Sequence, residues 1–494
     1  MLSLDYFTYL FKSKKVMVVF SSLIYLLIAI SAADYNASFI IYIYAVVLCF
    51  VLPALMFMHV HDKRAADTYY SLPLKRTVIL ITTILFIWLI IYIPYLVALV
   101  IARLRAYSFI FDITYFASGF GLLTLIVVNT CLYMFANNVF DGVVMMIAYE
   151  VLPLILHSVL SSFMYAFVAG FSSGMISFIE YLSPVVTAFY LTNCFDSSLS
   201  IRLYSFISSS AFLIVFSYIL YKLYTNREAE NANSESSNPL AYPLIIKLYT
   251  FLIIMFFTGS CFDSVNVLQC FMDNIFWYVI VFALFVAAHF IYKRKFYFHW
   301  KMPAFYIGAI IVSVLFGLIC QSTRGFNLSY TYNRTYKYGN INIYSNSFDY
   351  EGLQEIRAYA KEKTGIDDPN IYCNINIDSY GITHTYVIDD EVKDIIDKYR
   401  NILIEDFYDK SHDSYRSYTS LYIDCYSSDT YENRYDRNHT SYSYYGIAEI
   451  SMDDLLKLVS YPYITISLEL DYSQYQLMPD GELRLTEVYG DVLN

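Results

Sequence analysis

HDKRAADTYYSLPLKR, residues 61–76, lies between two long apolar runs, Phe39 to Val60 and Thr77 to Ala102, and is too short to be a domain. If both runs cross a bilayer, the stretch is a tight loop on one side of it. Its four basic residues, Lys63, Arg64, Lys75 and Arg76, then place that side in the cytoplasm. Asp62 is suited to cap a helix of about two turns reaching Ser71. Pro73 stops that helix, and Leu72, standing before the proline, is pushed out of the helical region. Ala65, Tyr69 and Leu72 fall on one stripe, with Arg64, Asp67 or Thr68, and Ser71 on the opposite one. The expectation is a short, stiff, charged knob held by two membrane spans.

Composition agrees with a membrane setting. The chain has 494 residues, 58% hydrophobic and 15% charged, with a mean hydropathy of +0.47, far from the roughly one-quarter charged content of soluble domains. The net charge of −11 is unevenly spread. Residues 1–321 carry about 17 Lys and Arg against about 14 acids, and residues 322–494 about 15 against about 29. A slightly basic membrane part is thus followed by an acidic, water-soluble part.

Residues 1–15 suit an amphipathic helix in the cytoplasmic interface, with apolar Leu2, Leu4, Tyr6, Phe7, Leu10 and Phe11 followed by Lys12, Lys14 and Lys15. The alternative is a signal peptide with its small-residue site at Ser31, Ala32 and Ala33. A helix needs about 20 apolar residues to span a bilayer. Nine segments come close, namely Val16–Ala32, Phe39–Val60, Thr77–Ala102, Ala117–Ala136, Gly142–Gly170, Leu203–Tyr224, Leu244–Cys261, Ile275–Tyr292 and Pro303–Cys320. With the N-terminus inside, the inner loops collect about 14 Lys and Arg and the short outer loops about three. An odd number of spans then sends everything after Gln321 outside the cell.

Two interruptions matter. Residues 171–199, containing Glu180 and Pro184, are too apolar for a free loop and read as a non-spanning re-entrant or interfacial hairpin on the outer face. Residues 225–243 open with the polar tract TNREAENANSESSNPL and read as a cytoplasmic linker. That linker separates a six-span core, residues 16–224, from three further spans, residues 244–321.

A charged helix running into Ser71-Leu72-Pro73-Leu74-Lys75-Arg76 directly before a span resembles the loop between the second and third spans of type 2 ABC exporter permeases, in the branch with a Ser-Leu-Pro-basic loop. Leu74 intervenes before the basic residue, a departure from that pattern. The resemblance covers the loop and the layout of the first six spans, not the C-terminal third. It implies that the loop is a coupling helix that docks into a separate ATPase subunit, with Asp62, Lys63, Arg64, Asp67, Tyr70, Ser71, Leu72, Pro73 and Arg76 as coupling residues. It also implies a leading helix that helps seat the ATPase and a pair of short extracellular helices between the fifth and sixth spans. No GxxxxGK followed by Ser or Thr occurs, so this chain does not cradle nucleotide phosphates by a P-loop. ATP and Mg would sit on partner ABC ATPase subunits. A second permease copy or paralogue would complete the pore, this chain being a transport subunit that binds no cofactor, is not an enzyme and takes no nucleic acid. The cargo implied is amphipathic and moved outwards: a peptide, an antibiotic or a lipid-linked molecule, so that resistance is the expected phenotype.

Other candidates are weighed on the residues alone. Glu150 and His157, seven apart on the fifth span with Pro153 between them, share a helical face; they form either a polar patch along the substrate path or ordinary pairs with a neighbouring span. Residues 322–494 alternate strand-like runs with two helical stretches, 350–364 and 389–402, which suits an extracellular α+β domain. About one residue in seven there is Tyr, which suits either a peptide or glycan surface or plain strand propensity. Cys373 and Cys425 fall on strand-like runs in an oxidising location, a possible disulfide. The eight cysteines and eight histidines show no metal spacing. The GxSxG match at 170–174, centred on Ser172, follows a span rather than a strand and carries no nucleophile elbow. The reading from a different functional class is an envelope-stress sensor or immunity protein whose outer domain binds a ligand. A membrane-embedded enzyme lacks any paired acid and base.

Overall fold

The computed structural model describes residues 3–31, 36–105, 114–171, 173–192, 199–228, 230, 232, 241–262, 264, 266–293, 298–328, 338–344, 354–365, 371–377, 389–409, 421–427, 440–446, 450–470 and 473–488. Apolar runs in lipid must satisfy their backbone internally, and they do so here as helices. In chain order these are α1 (Leu4–Ser13), α2 (Lys15–Ser31), α3 (Asn36–Met56), α4 (Lys63–Tyr70), α5 (Arg76–Arg105), α6 (Thr114–Met134), α7 (Val139–Tyr165), α8 (Pro184–Leu191), α9 (Leu199–Thr225), α10 (Tyr242–Phe262), α11 (Val267–Asp273), α12 (Ile275–Lys293) and α13 (Lys301–Ser322). Eight of them, α3, α5, α6, α7, α9, α10, α12 and α13, are long and apolar enough to cross a membrane. The pair α1–α2, bent by 70°, adds a ninth if it counts as one span. This is the build of a polytopic helical membrane protein.

Boundaries differ from the sequence expectation where the chain must leave the helix. The second apolar run ends as a helix at Met56, three residues past Pro53, and Met58–His61 wind as a 3-10 turn. The fifth ends at Tyr165 rather than Gly170, and α11 was not expected at all.

The chain forms two compact units: Met1–Ser158 with Ser177–Ile253 and Val279–Tyr306, and Val159–Ile176 with Ile254–Tyr278 and Ile307–Asn494. The division runs through α7, α10, α12 and α13. In the first unit the core lies among α3, α5 and α6, where Cys49, Ile87, Ile91, Leu122, Leu125 and Ile126 are wholly buried. Close approach relies on small residues, as helix packing in lipid does. A Cβ on Gly119 would stand 2.5 Å from the Tyr92 ring, and the Trp88 indole donates to the Gly119 carbonyl at 2.8 Å.

In the second unit the ends of α7, α10 and α13 meet through aromatic rings laid over glycines. Phe163 stacks on Phe316 at 5.2 Å, a Cβ on Gly259 would lie 2.8 Å from Phe163, and one on Gly317 would collide with Phe262. After α13 the chain makes an unusual turn. Arg324, Gly325, Phe326 and Asn327 all have positive φ, between 48° and 61°. Three of them are not glycine, a conformation that costs about 1–2 kcal/mol per residue.

The C-terminal residues include helices α14 (Gln354–Thr364), α15 (Asp390–Asp409) and α16 (Met452–Val459) and a seven-stranded sheet ordered β4-β3-β1-β2-β5-β6-β7. Its strands are β1 (Tyr338–Tyr344), β2 (Ile371–Ile377), β3 (Leu421–Ser427), β4 (Thr440–Gly446), β5 (Ile464–Leu470), β6 (Ser473–Leu477) and β7 (Leu483–Val488), and every pairing is antiparallel. Cys373, Ile375, Ile464, Ile466 and Leu468 pack with Ile356, Val392, Ile396, Leu403 and Leu455 of the helices. By alternation, Thr465 and Ser467 fall on the opposite face.

The register excludes the suggested disulfide. Cys373 pairs with Ile343 and Cys425 with Gly339, on opposite sides of β1. Two strand spacings put the backbones about 10 Å apart, beyond the reach of a disulfide. Cys373 is a buried free thiol, and the side chain of Cys425 lies outside the described atoms.

Candidate functional site

Asp62 has extended backbone and its carboxylate accepts the Ala65 amide at 3.0 Å, so α4 starts on a proper N-cap. The Ser71 amide closes the other end on the Asp67 and Tyr69 carbonyls. Ala66 is fully buried and Tyr69 half-buried, while Asp62, Lys63, Arg64, Asp67, Ser71, Leu72, Pro73 and Lys75 are exposed. Tyr70 ends the helix, and its side chain lies outside the described atoms. The buried stripe is therefore Ala66 with Tyr69, rotated by one residue from the Ala65–Tyr69–Leu72 stripe read from the sequence. Tyr69 stacks on the His59 ring at 3.9 Å, which seats the helix on the 3-10 turn before it.

The leading helix lies beside this knob. Tyr6 and Tyr9 of α1 are near enough to interact electrostatically with Tyr69, and Lys14 with His59. Phe7 meets Phe86 of α5 edge-on at 5.5 Å. Lys12, Lys14 and Lys15 are exposed, like Lys63, Arg64 and Lys75.

The roots of the loop are fixed by two arginines. Arg76 does not project outwards with the coupling residues. Its guanidinium donates to the Thr225 and Arg227 carbonyls, each at 2.9 Å, and so caps the C-terminus of α9. Arg227 is itself buried. It donates to the Met134 carbonyl at 2.8 Å and the Ala136 carbonyl at 2.9 Å, where α6 ends, and reaches His61 Nδ1 at 3.2 Å. A His61 nitrogen that accepts from arginine leaves the ring proton on Nε2. Burial first, and the Arg227 charge second, lower the His61 pKa to about 3. Burial likewise lowers that of His59 to about 4. Both rings are neutral at physiological pH, and α3, α5, α6 and α9 are pinned together at this end of the unit.

Residues 225–243 were read as linker from their polarity; their first residues are instead packed. Arg227 was missed by sequence reasoning. Its signal was thin: it is the one basic residue in an acidic tract, standing right after a helix end.

The second polar site is on α7. Glu150 is buried, its Oε2 accepting the Val185 amide at 3.2 Å and its backbone carbonyl accepting from the Ser183 hydroxyl at 3.1 Å. Ser183 is the N-cap of α8, yet its side chain makes no capping bond. Glu150 supplies the capping acceptor instead, from another helix. Its Oε1 has no hydrogen-bond partner among the described residues. His157 Nδ1 lies 3.4 Å from Glu180 Oε1 in the 3-10 segment Ser173–Leu182. Both polar groups of α7 thus face the pair of short helices between α7 and α9. Helix α8 buries Pro184, Thr187, Ala188 and Leu191 against α6 and α9, where a Cβ on Gly121 would stand 3.1 Å from the Ala188 Cα.

Among the described residues no group of three or more His, Cys, Asp or Glu is placed to hold a metal ion. Ser172 lies outside the described residues. Comparison of the chain with protein-family models, with curated proteins and with solved structures gives no match.

Proposed function

We propose that the chain is the permease subunit of an ATP-driven exporter, moving an amphipathic cargo outwards under the power of separate ATPase subunits. The observation that carries this reading is α4, an exposed charged helix that is capped at both ends, lies next to the amphipathic α1, and is rooted in the ends of α6 and α9. A helix that merely obeyed a charge rule would not need such footings. Force applied at Lys63–Ser71 passes through Pro73 and Arg76 into α5 and, through Arg227, into α6, a rocking of packed helices between two states. The cargo class rests on the resemblance alone. In this reading the N-terminus is cytoplasmic, a second permease copy or paralogue completes the path, and residues 322–494 are an extracellular α+β domain.

The test is co-purification. With wild-type protein an ATPase subunit is expected to accompany the chain, and Arg64→Glu combined with Asp67→Lys is expected to release it and lower ATP turnover. Unchanged association and turnover would remove α4 from the role.

The sensor reading also has an observation behind it. The Tyr408 hydroxyl on α15 bonds the Phe167 carbonyl at 3.0 Å, just past α7, so a load on the C-terminal residues has a route to a span. A co-purifying kinase in place of an ATPase would favour it.

A further inference from the structure

Between α10 and α12 three residues bring two thiols onto one amide. Cys261 is buried at the end of α10; Cys270 is partly exposed on α11; both are free. Asn274 Nδ2 donates to Cys270 Sγ at 3.2 Å and to its carbonyl at 2.9 Å, and stands 3.8 Å from Cys261 Sγ. The two thiols are near enough to interact with each other. Phe271 meets Phe262 edge-on at 6.2 Å, holding α11 beside α10. Helix α11 buries none of its residues, and Leu268 and Met272 are exposed. Phe271 also stacks on Tyr278 at 6.2 Å.

We propose that Cys261 and Cys270 are a redox pair that closes to a disulfide by exchange with an extracytoplasmic dithiol oxidase or a small-molecule disulfide, with Asn274 as the donor that steadies the attacking sulfur. The oxidising location rests on the orientation given under Proposed function; the pairing does not. Cys270, the accessible thiol, loses its proton to solvent and attacks one sulfur of the incoming disulfide, expelling the other as a thiolate. Cys261, deprotonated in turn, attacks Cys270 Sγ and expels the second thiolate. Two protein thiols and one disulfide become one protein disulfide and two free thiols, so electrons and protons balance. The Asn274 amide holds Cys270 Sγ in place while standing within reach of Cys261 Sγ. Closure staples α11 covalently to the end of α10.

The full-length protein in detergent, incubated with oxidised glutathione, is blocked with N-ethylmaleimide, reduced, labelled with iodoacetamide and read by mass spectrometry. Cys261 and Cys270 are expected to carry the second label together and to lose it after dithiothreitol. Cys270→Ser should abolish second labelling of Cys261. Asn274→Ala should slow closure several-fold without preventing it, which a misfolded loop would not do. Both thiols carrying the first label after oxidation, or Cys270 retaining glutathione while Cys261 stays free, would overturn the pairing. Orientation is read separately, from Gln269→Cys on intact cells with a membrane-impermeant maleimide. Labelling only after lysis would overturn the oxidising location and leave the detergent result standing.

Discussion

Arg227 and His61 show how a single ring nitrogen ties the loop to the bundle. Because the His61 pKa is about 3 in the folded protein and about 6.5 in an unfolded chain, the unfolded state binds more protons between those values. Stability is therefore fully present above pH 6.5 and is lost as pH falls below it. Thermal unfolding in detergent should show this slope, with His59 adding to it down to about pH 4. His61→Gln, which keeps an acceptor for Arg227 but does not titrate, should flatten it; an unchanged slope would assign it elsewhere. Gly325 is a second sensitive residue. At φ 61° with the Phe167 carbonyl against it, it has no room for a Cβ. Gly325→Ala should destabilise the protein by about 1–2 kcal/mol from backbone conformation alone, and by more once the clash is counted. The Arg324–Glu405 pair beside it is about half exposed at both partners and should matter little, by roughly 0–1 kcal/mol. Neither His61 nor Gly325 announces itself in sequence. A histidine after an apolar run and a glycine after a span look ordinary until the groups that meet them, over 150 residues away, are in place.

At the scale of the element, α8 depends on a cap that its own sequence does not contain. Ser183 and Pro184 mark the start of a helix legibly, and the re-entrant character of 171–199 follows from Glu180 and Pro184 interrupting an apolar run. That Glu150 would close the helix was not legible, because periodicity within α7 says which face a residue is on and not what that face meets. Glu150→Gln retains an acceptor and should leave stability close to wild type. Glu150→Ala strips the Val185 amide of its partner in a buried place and should cost roughly 1–3 kcal/mol. Amide exchange at 185–187 should rise in the alanine variant alone, and equal exchange in both would separate Glu150 from the cap. The spans and α4 were read closely from the sequence for a simple reason. Hydrophobic length and local capping depend on neighbours within a few residues, and Asp62 and Pro73 carry all the information that helix needs. Strand β4, inside a Ser- and Tyr-dense run, offers no such local contrast. The suggested Cys373–Cys425 bond failed because location on strands does not give strand order.

On the scale of the whole chain, residues 225–243 divide two sets of spans in sequence, but the first few of them belong to the α6–α9 end of the first unit. Anyone wishing to express this protein as two co-translated polypeptides should therefore cut after Glu228 and not at Thr225. A front fragment ending at Thr225 would surrender the guanidinium that closes α6 and would deny Arg76 one of its two carbonyls. The later cut should give complementing halves that co-elute, and the earlier cut should give a front half that aggregates. A gene is best divided where neither half has to reach back into the other, and Arg227, though beyond the end of α9, still reaches back to close α6.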